Sequence, residues 1–389
     1  MGAFAAVLEN ACTLLTPGPL TTSEGVRQAM QKDWCTWDED YLALVRDIRG
    51  RLSGLASADP RAYTAVLLQG SGTYGVESVL GTAIPPAGKL LVLANGAYGQ
   101  RIGMIARTLG IRHTLLEFPE TSPIDLVAVD EVLSSDPGLT HVAAVHVETT
   151  TGLVNPVQEL GRLVRESGRS FILDAMSSFG GIPMDLREIG VDFAVTSANK
   201  CLQGTPGFCI VLARPSALEA IEGQARSLSL DLHDQWRTME AQGGKWRFTS
   251  PTHAVCAFHK ALLELEEEGG IPARHRRFCE NQALVAEGMT ALGFRLLISP
   301  QWQSPIITTF LVPDDLPGFE FSTFYRWMKQ SGFLIYPGKL TQVDSFRVGN
   351  IGHVDTAILG RFLEAAENCL FRFREQSRKP REGERRGNE

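Results

Sequence analysis

The chain has 389 residues, 44% hydrophobic and 21% charged, a globular composition long enough for two domains with their own cores. Its formal net charge of -7 at pH 7, with no basic stripe, argues against nucleic acid as a partner. The seven cysteines are scattered and form no C-x-x-C, so they suggest neither a disulfide framework nor a zinc site and read as reduced core thiols.

Residues 1–11 are mildly apolar but carry Glu9 and no basic cluster, which makes a poor signal peptide. No apolar run approaches the roughly 20 residues of a membrane span, and a cytoplasmic location is expected. From residue 64, apolar runs of strand length recur: 64–69, 90–94, 112–117, 141–148, 170–174, 193–197 and 208–213. Most are nearly continuous, as strands buried on both faces of a sheet require, and helical spacing between them (156–166) predicts a mostly parallel, seven-stranded α/β sheet.

Three of these runs end in residues with chemistry. After the first comes Gly70-Ser71-Gly72-Thr73-Tyr74-Gly75, opening a helix; its backbone N–H groups and the Ser71 and Thr73 hydroxyls suit a phosphate at a helix N-terminus. The letters also fit a dinucleotide fingerprint, but that reading needs a carboxylate at the end of the next strand, where the chain has Ala94-Asn95-Gly96. Run 170–174 ends in Asp174, which places a carboxylate at the ligand-binding edge of an open sheet; a turn or helix cap is the plainer alternative. Run 193–197 leads into Ala198-Asn199-Lys200, a lysine poorly placed for solvation, as a carbonyl-condensing lysine needs to be.

Taken together, a phosphate cup, a carboxylate and a lysine at strand ends of one sheet match what pyridoxal phosphate requires: an anchor, a partner for the pyridine nitrogen and an amine. Tyr98, after the second strand, is placed to stack on the ring, and Ser197 to add a phosphate hydrogen bond. Metal is disfavoured: of eight histidines, His253 and His259, just before and within a predicted helix, stand at i and i+6, the wrong spacing for one helical face.

A second pattern follows residue 250. A helix is predicted at 255–268, short strands at 294–298, 306–312, 333–336 and 345–348, a helix near 322–330 and a last one at 355–374. The expected organisation is an N-terminal segment to residue 20 lining the active site, a large domain over 21–254, a smaller α+β domain over 255–374, and a disordered charged tail over 375–389.

The blocks LLTPGPLTTSEGV from Leu14, CTWDEDY from Cys35, VLLQGSGTYGVESVLG from Val66, ETTTGLVNP from Glu148, LDAMSSFGGIPMD from Leu173, TSANKCLQGTPGF from Thr196, RSLSLD from Arg226, GKWRFTSPTH from Gly244, SPIITTF from Ser304, YPGK from Tyr336 and FRVGNIG from Phe346 carry a family resemblance. The chain resembles the class V pyridoxal-phosphate-dependent aminotransferases of fold type I. Within them it is most similar to the branch acting on 2-aminoethylphosphonate and pyruvate, over roughly residues 13–372. That resemblance implies transfer of the donor's amino group to pyruvate, giving phosphonoacetaldehyde and L-alanine. It implies a homodimer in which Thr249 reaches the partner's cofactor phosphate, and Arg347 as the residue that binds the substrate's acidic group. It also implies Gly18 in the substrate entrance, and Thr150 and Asn199 as polar neighbours of the ring. Another class V aminotransferase, acting on alanine, serine or glyoxylate, is the alternative. A cysteine desulfurase would want a histidine where the chain has Tyr98.

Overall fold

A computed structural model describes residues 12–378 apart from 314, 315, 317 and 339–344. The seven apolar runs form one sheet, in the spatial order Thr64–Gln69, Phe208–Ala213, Phe193–Ser197, Ser170–Asp174, His141–Val145, Lys89–Ala94 and Arg112–Glu117. Only Phe208–Ala213 runs antiparallel to its neighbours. It is buried along its whole length, whereas Arg112–Glu117, at the edge, is half-buried with exposed ends. Helices cover both faces. Val157–Glu166, for example, buries Val157, Leu160, Gly161 and Val164 on one face.

The predicted strand 141–148 is broken. The chain leaves the sheet at Val145, and Val147–Glu148 pairs instead with Leu153–Val154 in a small antiparallel hairpin. The diversion carries the Glu148 carboxylate to the start of the Ala97–Thr108 helix, where it accepts a hydrogen bond from the Tyr98 N–H at 3.1 Å.

Beyond residue 290 a four-stranded antiparallel sheet has the order Arg295–Leu296, Ile307–Leu311, Ser345–Gly349, Tyr336–Pro337. The predicted strand 333–336 is also divided. Phe333–Leu334 pairs in parallel with Thr13–Leu14, tying down the N-terminal segment, and Tyr336–Pro337 joins the four-stranded sheet opposite Arg347 and Phe346. A phenylalanine-rich core packs here, with Phe294 in edge-on contact with Phe310 and Phe346. The Thr252–Glu267 helix sends Val255, Phe258, Leu262 and Leu265 into the larger core beside the seven-stranded sheet.

The longest element between the two sheets, the Gly270–Ala291 helix, has no strong apolar period and was not predicted. It buries polar residues instead. Arg274 donates to the Cys201 carbonyl at 2.9 Å and to Glu268 at 2.8 Å, and Asn281 donates to the Asn350 and Val354 carbonyls. The final helix, Thr356–Arg378, runs past residue 374 into the stretch expected to be a disordered tail; residues 379–389, like 1–11, lie outside the described residues. All seven cysteines are free. Cys201, Cys209, Cys256 and Cys369 are buried as expected, whereas Cys35 and Cys279 are exposed. Among the described residues no helix is long and apolar enough to cross a membrane, and no cluster of metal-ligating side chains occurs.

Candidate active site

The parallel strands end along one edge of the large sheet, and the loops that follow them enclose a cavity of about 210 Å³. Ser71, Gly72 and Thr73 line it from the first strand's end, Tyr98 and Arg101 from the second's, and Asp174 with Met176 from the fifth parallel strand, Ser170–Asp174. Ser197, Asn199 and Lys200 line it from the next.

The Gly72–Ala83 helix starts at this cavity. Ser71, its N-cap residue, makes no side-chain capping bond, which leaves its hydroxyl and the first helical N–H groups for an anion. A Cβ at Gly72 would lie 2.1 Å from the Met176 sulfur, so the Met176 side chain packs directly against this turn. Ser197 is 2% exposed and its hydroxyl has no hydrogen-bond partner among the described residues. A buried, unpaired hydroxyl costs free energy unless a ligand meets it.

Asp174 is 7% exposed and accepts a hydrogen bond from the Met176 N–H at 2.9 Å. Burial pushes its carboxyl up to about 6; the Met176 bond opposes this, the nearby Glu148 charge adds to it, and Lys200 and Arg101 pull it back. A cation entering beside it, such as a protonated pyridine, would relieve that cost. Glu148, fully buried, is also raised by desolvation; the Thr150 hydroxyl at 2.6 Å and the Tyr98 N–H oppose it.

The Lys200 ammonium donates to the carbonyls of Pro17 at 2.9 Å and Gly18 at 3.3 Å, so the N-terminal segment closes over the lysine. Gly18 has φ +112°, and a Cβ there would lie 2.6 Å from the Lys200 side chain. From below, the lysine's loop is held by Arg274 through the Cys201 carbonyl. Arg347, 2% exposed, donates to the Pro337 carbonyl at 3.1 Å and the Thr149 carbonyl at 2.9 Å, and its guanidinium lies over the Tyr336 ring. Burial lowers its pKa, while Tyr98, Tyr336 and Glu148 support the charge.

Two expected neighbours lie apart from the cavity lining. The Thr150 hydroxyl is engaged with Glu148. Thr249 stands exposed on the surface, its carbonyl accepting from Gln69 at 2.8 Å. Sequence reasoning gave no role to Glu148 or Arg101. Arg101 follows Tyr98 by one helical turn, so the signal was a second functional side chain at i+3 on a helix whose first turn was already singled out.

The residues present fit pyridoxal phosphate. An orphaned buried hydroxyl and an uncapped helix N-terminus suit the phosphate. A carboxyl held near 6 suits a ring nitrogen, and a half-buried lysine suits the aldehyde. The aminotransferase class-V family profile matches residues 39–320. The 2-aminoethylphosphonate–pyruvate transaminase of Syntrophobacter fumaroxidans is 56% identical over 94% of this chain and 98% of its own length. That of Bacteroides fragilis is 56% identical over 92% of this chain and 99% of its own. The ureidoglycine–glyoxylate aminotransferase structure from Bacillus subtilis superposes with a TM-score of 0.86 over 93% of this chain and 94% of that one, at 23% identity, a likeness of fold.

Proposed function

The chain belongs to the class V aminotransferases, and on that premise we propose that it moves the amino group of 2-aminoethylphosphonate to pyruvate, giving phosphonoacetaldehyde and L-alanine. Its cofactor is pyridoxal phosphate. The observation that carries the reading is the near-full-length identity to transaminases of that name, in a chain whose Lys200 and Asp174 line one cavity with a phosphate cup.

When bound, the cofactor supplies an aldehyde that receives the amine and a ring that withdraws electrons from the substrate carbon. Lys200 would hold the cofactor through its Nζ, and the same amine, once free, would take up and return the proton at the reacting carbon. Asp174 would hold the ring nitrogen protonated, and Tyr98 would pack against the ring. Ser71, Gly72, Thr73 and Ser197 would bind the phosphate, and Asn199 would stand beside the ring. Thr150 acts through Glu148, whose carboxylate it orients.

Arg347 receives the phosphonate of the donor and then the carboxylate of pyruvate. Its Nε and Nη1 are held by main-chain carbonyls, and among the described residues Nη2 makes no hydrogen bond. A desolvated guanidinium with no paired carboxylate is stabilised by an incoming anion. Gly18, beside Lys200, lines the entrance.

The working unit is a homodimer in which Thr249 serves the partner's phosphate cup. In support, Phe248 (44% exposed), next to Thr249 in the chain, and Leu228 (78%) are large apolar side chains left on the surface, of the kind partners cover. Arg247 links the two, donating to the Leu228 carbonyl at 2.9 Å and packing over Phe248. A cytoplasmic location suits an enzyme that draws on pyruvate.

The test is to incubate the purified enzyme with 2-aminoethylphosphonate and pyruvate and measure alanine. Alanine formation with that donor is expected. Transamination of alanine with glyoxylate, with aminoethylphosphonate untouched, would transfer the assignment to another class V reaction.

A further inference from the structure

The phosphate cup contains hydroxyls and N–H groups but no cation of its own. A phosphate ester carries close to two negative charges at neutral pH, and a helix N-terminus offers the equivalent of about half a positive charge. The cavity also holds the buried carboxyl of Asp174, with Glu148 close enough to raise it. Placing a dianion beside those carboxylates without a compensating cation is unfavourable.

Of the charged side chains on the cavity wall, Lys200 donates to the Pro17 and Gly18 carbonyls and is the amine reserved for the cofactor's aldehyde. Arg347 is not among the residues that line the cavity and is held by the Thr149 and Pro337 carbonyls. That leaves Arg101. It is half-buried, its Nη1 stands 3.4 Å from the Thr73 hydroxyl, and its guanidinium lies 4.9 Å from the Tyr98 ring centroid. Thr73 is the second residue of the helix whose N-terminus forms the cup. Tyr98 and Arg101 are one turn apart on the Ala97–Thr108 helix and face the same way.

We propose that Arg101 is the cationic ligand of the cofactor phosphate, a binding residue distinct from the hydroxyl and N–H donors of the cup; this rests on the pyridoxal phosphate reading above. The fork of guanidinium donors lets one N–H stay with Thr73 while others turn to the phosphate oxygens. Its stacking on Tyr98 holds the charge at the phosphate end, away from the substrate's acid group.

The experiment compares two cofactors in the full-length protein, wild type and the variants Arg101→Gln and Arg101→Lys. Each is loaded with pyridoxal phosphate or with pyridoxal, which lacks the phosphate, and dissociation constants are read from visible absorbance on dilution. Arg101→Gln should weaken pyridoxal phosphate by roughly 10- to 150-fold, as expected for losing a hydrogen bond to a charged group. Pyridoxal affinity should hardly move, and Arg101→Lys should recover part of the loss. Equal weakening of both cofactors would overturn the proposal, assigning the arginine to the ring through Tyr98. No weakening of either would overturn it too. If the wild-type chain develops no visible band with either aldehyde, the cofactor reading itself fails, a result distinct from these. Matching thermal unfolding of the unloaded variants shows that the substitutions act on binding.

Discussion

Replacing Asp174 by Asn should stabilise the cofactor-free protein at neutral pH while crippling transamination. In the fold the carboxyl is raised from 3.8 to about 6, chiefly by burial. The folded protein therefore holds the proton more tightly than the unfolded chain. The stability associated with the protonated carboxyl is fully present below about pH 4 and is lost as pH rises through about 6. At about 1.4 kcal/mol per tenfold change, ionised Asp174 costs the unloaded enzyme on the order of 3 kcal/mol at pH 7. An asparagine stays neutral and its carbonyl can still accept from the Met176 N–H, so most of that cost should disappear with the substitution. Urea unfolding of unloaded wild type and variant at pH 4, 5, 6 and 7 measures this. The two should coincide near pH 4 and diverge above it, with the variant more stable by about 1–3 kcal/mol at pH 7. Loading the cofactor should reverse the order, because a protonated ring nitrogen pairs with the aspartate alone. A variant less stable than wild type at pH 7, or a difference that does not change with pH, would refute the argument that burial strains this carboxyl for the cofactor.

Lys200→Ala should abolish covalent attachment of the cofactor; borohydride reduction of wild type followed by peptide mapping should find the label on Lys200, and a label on another lysine would sink the assignment. Arg347→Ala should slow both half-reactions with the cofactor band retained, by about 2–5 kcal/mol, or roughly 30- to 4,000-fold. Arg347→Lys should recover only part, since a point charge replaces a fork; unchanged KM for donor and acceptor in either variant would contradict the anion-binding role. Thr249→Ala should weaken cofactor retention by roughly 10- to 150-fold at protein concentrations that keep the dimer assembled. Sedimentation alongside activity checks this, and a fully active monomer would rule the role out.

The family, the cofactor and the seven-stranded α/β sheet were legible in the chain. A buried parallel strand must be a short continuous apolar run, and loops at strand ends carry ligand chemistry, so Ser71, Thr73, Asp174 and Lys200 stand out by position alone. The helix over 270–291 was not legible. Its buried face is made of Arg274 and Asn281, polar groups that become tolerable inside only because carbonyls 69 to 73 positions away in the chain meet them. The same limit hid Glu148 and Arg101. Nothing local shows that a carboxylate will meet a distant helix N-terminus, or that an arginine one turn past Tyr98 will stand against Thr73.

Local patterning thus determined which segments are strands, which strand ends bear reactive groups and, through long specific blocks, which family the chain resembles. Tertiary structure alone decided which of those groups share a cavity, that the N-terminal segment folds over Lys200, and how far burial shifts each charge. Secondary structure answers to periodicity a few residues long. Desolvation and hydrogen-bond satisfaction depend on every neighbour in space, and these come together only when distant parts of the chain pack.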